Sequence, residues 1–127
     1  MTLIDTDVVV WYMRGSSRAA NALHKLDEFA ISAVTYMELL QGMRNKEEIR
    51  VLRATLKNWD TPILAISEEI SGKAVAYIEQ YFLSHSLRLA DALIGATATV
   101  NGLILMTGNL RHYRVLPDLV LQRFRPG

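Results

Sequence analysis

Residues 1–15 read MTLIDTDVVVWYMRG. Thr2 to Asp5 is a short apolar run closing on an acid, and Val8–Met13 continue with helical character to a break near Gly15. A strand that hands over at once to a helix opens a crossover unit, and the chain repeats that pattern outward from it. Ser16 or Ser17 caps a second helix with Ala19, Leu23 and Leu26 on its inner face. FAISAV (29–34) reads as a second strand, followed by helices over 36–43 and 46–59. Pro62 opens a strand ILAI, and Ser67 caps a helix whose apolar face is Ile70, Ala74, Tyr77, Ile78 and Tyr81. Leu89 to Val100 is a small-residue helix ended by Gly102, LILMT (103–107) is a fourth strand, and 119–122 is a fifth. Strands separated by helices imply right-handed crossovers and a parallel sheet of four to five strands covered on both faces. Ligands of such sheets lie outside the carboxyl ends of the strands.

The 127 residues are expected to form a single domain, 1–127, with half of them hydrophobic and 21% charged. There is no cysteine, which excludes disulfides and thiolate metal sites and fits a reducing, cytoplasmic location. No apolar run suits a bilayer, and MTLIDTD does not resemble a signal peptide. The net charge of +1 selects no partner, but Arg111, His112, Arg114, Arg123 and Arg125 crowd the C-terminal segment.

Of the 13 acidic residues, nine lie in polar, capping or loop contexts. Asp5 ends an apolar strand, Glu38 sits within VTYMELL and Asp91 within LADALI, while Asp7 is borderline between cap and ligand. A buried charge must be paired, protonated or bound to a metal. Each acid also has a local reading. Asp5 can cap the first helix, Thr35-x-x-Glu38 matches a capping box, and Asp91 can serve a helix dipole. Their coincidence at strand ends favours one shared cation, and three carboxylates suit Mg²⁺ and phosphodiester hydrolysis. His24, His85 and His112 lack zinc-ligand spacing.

LIDTDVVVWYMRG, ISAVTYMELLQG and LRLADALIGATATVNGLILMTGNLRHYRVLPDL together resemble the successive motifs of VapC-type PIN-domain proteins, in order and over nearly the whole chain. The resemblance implies a three-layer α/β/α fold around a parallel sheet. It implies a Mg²⁺- or Mn²⁺-dependent endoribonuclease, the toxin of a type II toxin–antitoxin pair, with a cognate antitoxin and a homodimeric state. Carried over by position, Asp5, Glu38 and Asp91 are the metal residues. Many relatives place a fourth acid in the loop that here reads TGNLRHY, where this chain offers Thr107, Asn109 and His112. Asn109 follows a strand end, so its amide oxygen is expected at the same sheet edge as Asp5 and is counted with the catalytic set. His112 is expected to meet RNA, and Arg14, Arg18, Arg88, Arg111 and Arg114 to meet phosphates. Val9, Trp11, Tyr12 and Met13 exceed one buried face and suggest an interface.

LIDTDVVV also resembles the first motif of haloacid-dehalogenase-type phosphatases, which need a later lysine and a second acidic pair. A receiver domain would need an aspartate after the third strand, where this chain has Ser67. A catalytically inert RNA- or antitoxin-binding protein is the reading of a different class.

Overall fold

The computed structural model describes residues 1–126. Its centre is a five-stranded, all-parallel sheet in the order β3-β2-β1-β4-β5. The strands are β1 (Thr2–Ile4), β2 (Phe29–Ser32), β3 (Ile63–Leu64), β4 (Ile104–Thr107) and β5 (Leu121–Arg123). Helices α1 (Thr6–Met13) and α2 (Ser17–His24) join β1 to β2. Helices α3 (Ala33–Gln41) and α4 (Lys46–Asn58) lead to β3, and α5 (Glu68–His85) and α6 (Leu89–Asn101) lead to β4. The short α7 (Leu110–Tyr113) precedes β5.

Side chains alternate across each inner strand, so one run of sequence feeds two cores. Leu3, Ala30 and Leu105 pack with α5, α6, Tyr113 and Leu116 on one face. Their neighbours Ile4, Ile31 and Met106 pack with α1, α2 and α4 on the other. The small residues of α6 allow close approach: a Cβ on Gly95 would lie 2.6 Å from Leu116 Cδ1. This seats α6, with Asp91 in its first turn, close against α7 and the residues that follow it.

The chain leaves β1 toward β2 and β3, then returns to build β4 and β5 on the other side. The reversal falls between β1 and β4, which opens a crevice at their carboxyl ends. Asp5 N donates to Met106 O at 3.0 Å and fixes the two strand ends side by side.

Several boundaries differ from the sequence reading. The strand in FAISAV stops at Ser32, because the Ser32 hydroxyl accepts from Val34 N at 3.0 Å and starts α3 there. The Thr35-x-x-Glu38 capping box is therefore incorrect: Thr35 is fully buried inside the helix. The fifth strand lies two residues later at its start, at Leu121–Arg123. The apolar excess on α1 is mostly core: Val9 is fully buried, while Tyr12 and Met13 pack against the same cluster. Among the more exposed apolar side chains are three on α5, Val75, Phe82 and Leu83, and Leu89 shortly after it. Among the described residues no helix is long and apolar enough to cross a membrane.

Candidate active site

Asp5 follows β1 directly and is the N-cap of α1, so the capping and site readings hold at one residue. Its Oδ1 accepts from Thr6 N at 2.8 Å, and its Oδ2 accepts from the buried Thr107 hydroxyl at 2.7 Å. Thr107 Oγ1 in turn accepts from Asn109 N at 2.9 Å, so the end of β4 orders both residues. Burial pushes the Asp5 carboxyl up to about 7, and the charge of Asp7 adds to the rise.

Glu38 reaches the cleft from the second turn of α3. Thr6 Oγ1 lies 2.7 Å from Glu38 Oε1 and 3.0 Å from Thr35 Oγ1. Its single proton goes to the carboxylate, the stronger acceptor, and holds Glu38 toward β1. Asp91 projects from the first turn of α6, where burial raises its pKa against the opposing pull of His112. His112 Nδ1 stands 3.6 Å from Asp91 Oδ2. His112 therefore stands at the acidic site, beside Asp91, as well as facing solvent where RNA is expected.

Asp5, Asp7, Glu38, Asp91, Asn109 and His112 line one cleft of about 530 Å³, together with Thr6, Arg14 and Arg88. Of the arginines expected at phosphates, Arg14 and Arg88 are in this lining, and Arg18, Arg111 and Arg114 are outside it. The lining contains no lysine, so the group required by a haloacid-dehalogenase-type reaction is not in place.

Two site residues were underread in the sequence. Asp7 is a fourth carboxylate: its Oδ2 accepts from Gly108 N at 2.8 Å, while its buried Oδ1 has no partner. Burial raises the Asp7 pKa. The contact spans 101 positions in sequence, and the only local sign of it was Gly108 in the turn after β4. A Cβ there would stand 2.6 Å from Asp7 Oδ2. Tyr113 is the other. It is fully buried, and its hydroxyl favours ionisation of both Asp5 and Asp91 although it completes a hydrogen bond with neither in this arrangement. The same two carboxylates and burial push its own pKa up.

The donor set is hard oxygen throughout, with an orphaned carboxylate oxygen and a buried acid at about 7 awaiting a counter-charge. Among the described residues, no three His, Asp or Glu side chains already converge on one point at ligand distance.

The family model described as PIN domain matches residues 2–116. The chain is 34% identical to Ribonuclease VapC19 of Mycobacterium tuberculosis over 126 residues, covering 94% of this chain and 97% of that protein. It is 35% identical to Ribonuclease VapC10 of the same organism over 123 residues, covering 94% and 90%. In structure it resembles a toxin–antitoxin complex from Klebsiella pneumoniae, with a TM-score of 0.80, 30% identity, and coverage of 94% of this chain and 96% of that one. A fold, a cleft at the β1/β4 crevice and a match along most of the sequence thus agree, and the chain belongs to the PIN-domain family.

Proposed function

We propose that this chain is a divalent-metal-dependent endoribonuclease, the toxin of a toxin–antitoxin pair. The observation that carries the reading is the set of four carboxylates, Asp5, Asp7, Glu38 and Asp91, facing one cleft at the carboxyl ends of a parallel sheet. Two relatives bear the name ribonuclease, and a structural relative is a toxin–antitoxin complex.

Asp5, Glu38 and Asp91 would hold the cation, with Asp7 and Asn109 at its margin. When bound, Mg²⁺ or Mn²⁺ would offset the carboxylate charge and draw electron density from a phosphate and an attacking water. The protein's own contribution is order. Thr6 N and Thr107 Oγ1 fix the two oxygens of Asp5, and Thr6 Oγ1 fixes Glu38. Fixed ligands cost no reorganisation when the phosphodiester arrives. Arg14 and Arg88 offer positive charge to its flanking phosphates. With Nδ1 turned to Asp91, the second nitrogen of His112 is left to hydrogen-bond the nucleic acid.

An apolar groove of about 660 Å³ adjoins the cleft through Val10, Arg14 and Glu38, and continues over Met13, Leu39, Met43 and Val51. It is the surface we assign to an antitoxin segment, which would cover Glu38 as it docks.

The purified protein should cleave RNA with Mg²⁺ or Mn²⁺ and stop on addition of EDTA. Asp5→Asn, Glu38→Gln and Asp91→Asn should each remove most of the activity while leaving a cooperative thermal transition. Cleavage that persists in EDTA, or in all three variants, would exclude the reading.

A further inference from the structure

Two grooves continue from the acidic cleft around the β4–α7–β5 side of the molecule. The first, of about 550 Å³, shares Asn109 and His112 with the cleft and is lined by Arg111, Arg114, Arg123 and Arg125. The second, of about 470 Å³, shares Arg123 and Arg125 with the first and extends to Arg18 and Lys25 at α2. The chain has 13 acidic residues against 14 Lys and Arg, yet neither lining holds a carboxylate. All six cations are exposed, and among the described residues none is in an ion pair. Unpaired cations gathered without acids leave a local positive field in a protein whose net charge is only +1.

We propose that this cationic track binds the phosphate backbone of an RNA strand on its way into the acidic cleft. The proposal rests on the ribonuclease reading and adds to it the course of the substrate. Continuity is the first reason: an acidic cleft repels phosphate, and the track begins at its rim with His112 and Arg111. Arginine is the second, since its planar fork suits phosphate oxygens and five of the six cations are arginine. The third is what the track lacks. Beyond His112 at the rim, its one ring is that of Phe124, which is buried, so along the rest of the track no ring is free to stack on a base. Contacts made there are to backbone, and they position the strand without selecting its sequence.

The test is binding of a fluorescein-labelled 12-nucleotide single-stranded RNA in EDTA, read by anisotropy across a salt series. Two variants sample the track, Arg123→Gln/Arg125→Gln and Arg18→Gln/Lys25→Gln. A third, Lys46→Gln/Lys57→Gln, removes the same charge from the two ends of α4. Each track pair should weaken binding for any RNA sequence and flatten the plot of log K against log salt by about 1.4, at about 0.7 per lost phosphate contact. The α4 pair should leave the slope as in wild type. Affinity and slope unchanged in both track variants would overturn the proposal. So would retention of RNA binding with loss of binding to an oligoglutamate peptide, because the track would then take an acidic protein segment. Failure of the ribonuclease reading is a separate result: wild type would bind RNA through the track and leave it uncut in Mg²⁺ and Mn²⁺.

Discussion

Asp5 caps a helix and lies buried beside Asp7, and the proposed reaction asks it to present charge to a cation as well, so these demands conflict. With its pKa raised from 3.8 to about 7, the folded protein holds a proton that the unfolded chain has already released. Below pH 4 both states are protonated and there is no penalty. As pH rises from 4 to 7 the unfolded state loses its proton first, so stability falls, and above 7 the full penalty is present. Between pH 5 and pH 8 the Asp5 contribution is a loss of about 3 kcal/mol, or roughly 10 °C of Tm in the metal-free protein. Melting curves should show this decline, Asp5→Asn should flatten it, and Mg²⁺ at pH 8 should recover part of it by mass action. A wild-type Tm that is level or rising over that range, with the same slope in Asp5→Asn, would refute the assignment. Tyr113 yields a second expectation of opposite character. At pH 5, where Asp5 is protonated and gives the hydroxyl no anion to stabilise, Tyr113→Phe should leave the metal-free Tm unchanged or raise stability by about 1 kcal/mol. Mn²⁺ affinity should nonetheless drop by about 10-fold, since the hydroxyl favours the ionised forms of Asp5 and Asp91. Calorimetric titration with Mn²⁺ reads this directly; equal affinity in the two proteins would make Tyr113 a core residue only.

The elements that carry the site were legible to different depths, for physical reasons. Strands β1 and β4 announce themselves by short apolar runs that stop at Asp5 and Thr107, and α6 by its small residues and terminal Gly102. The handover from β2 to α3 was not legible, because a buried strand and a buried helix both read as apolar residues and FAISAV serves both. A matching Thr-x-x-Glu pattern then suggested a cap three residues too late. Glu38 was found for its unusual company, although its real partner, Thr6, lies 32 positions away and leaves no trace in local sequence. The turn between β4 and α7 is similar. Gly108 reads as a loop glycine, and only the fold reveals that Asp7 occupies the space where its side chain would be. Gly108→Ala should therefore displace Asp7 and cost about 1–3 kcal/mol. In an Asp7→Ala background the same substitution should cost much less, apart from the 3.3 Å approach to Phe124 O. A double-mutant cycle by thermal melting decides it: strictly additive effects would mean that the turn is strained for another reason.

At the scale of the whole molecule, a nearly neutral chain has sorted its charges. Strand order could not be read from the sequence, but once β1 lies between β2 and β4 four acids from three segments share one crevice, and arginines from α7, β5 and the residues after each share the adjoining groove. Apolar surface is sorted too. Leu83 is 93% exposed, Leu89 70%, Val75 56% and Phe82 54%, the first, third and fourth on α5 and Leu89 shortly after it. These residues lie outside the linings of the acidic cleft, the cationic track and the apolar groove beside Glu38. Leaving Leu83 in water forfeits about 1.5–3 kcal/mol relative to full burial, and the half-exposed Val75 and Phe82 roughly half as much each. A second copy is a natural partner, because a two-fold axis sets a self-complementary patch against itself and closes the assembly. We expect a homodimer through this face, with both clefts open. Leu83→Lys would place like charges across the axis and should weaken the dimer by at least about 10-fold, or about 1.4 kcal/mol, without altering RNA cleavage per chain above the wild-type dissociation constant. Light scattering over a dilution series measures both forms. A wild type that is monomeric at every concentration ends the dimer proposal, and a Leu83→Lys protein that stays dimeric moves the interface to another face.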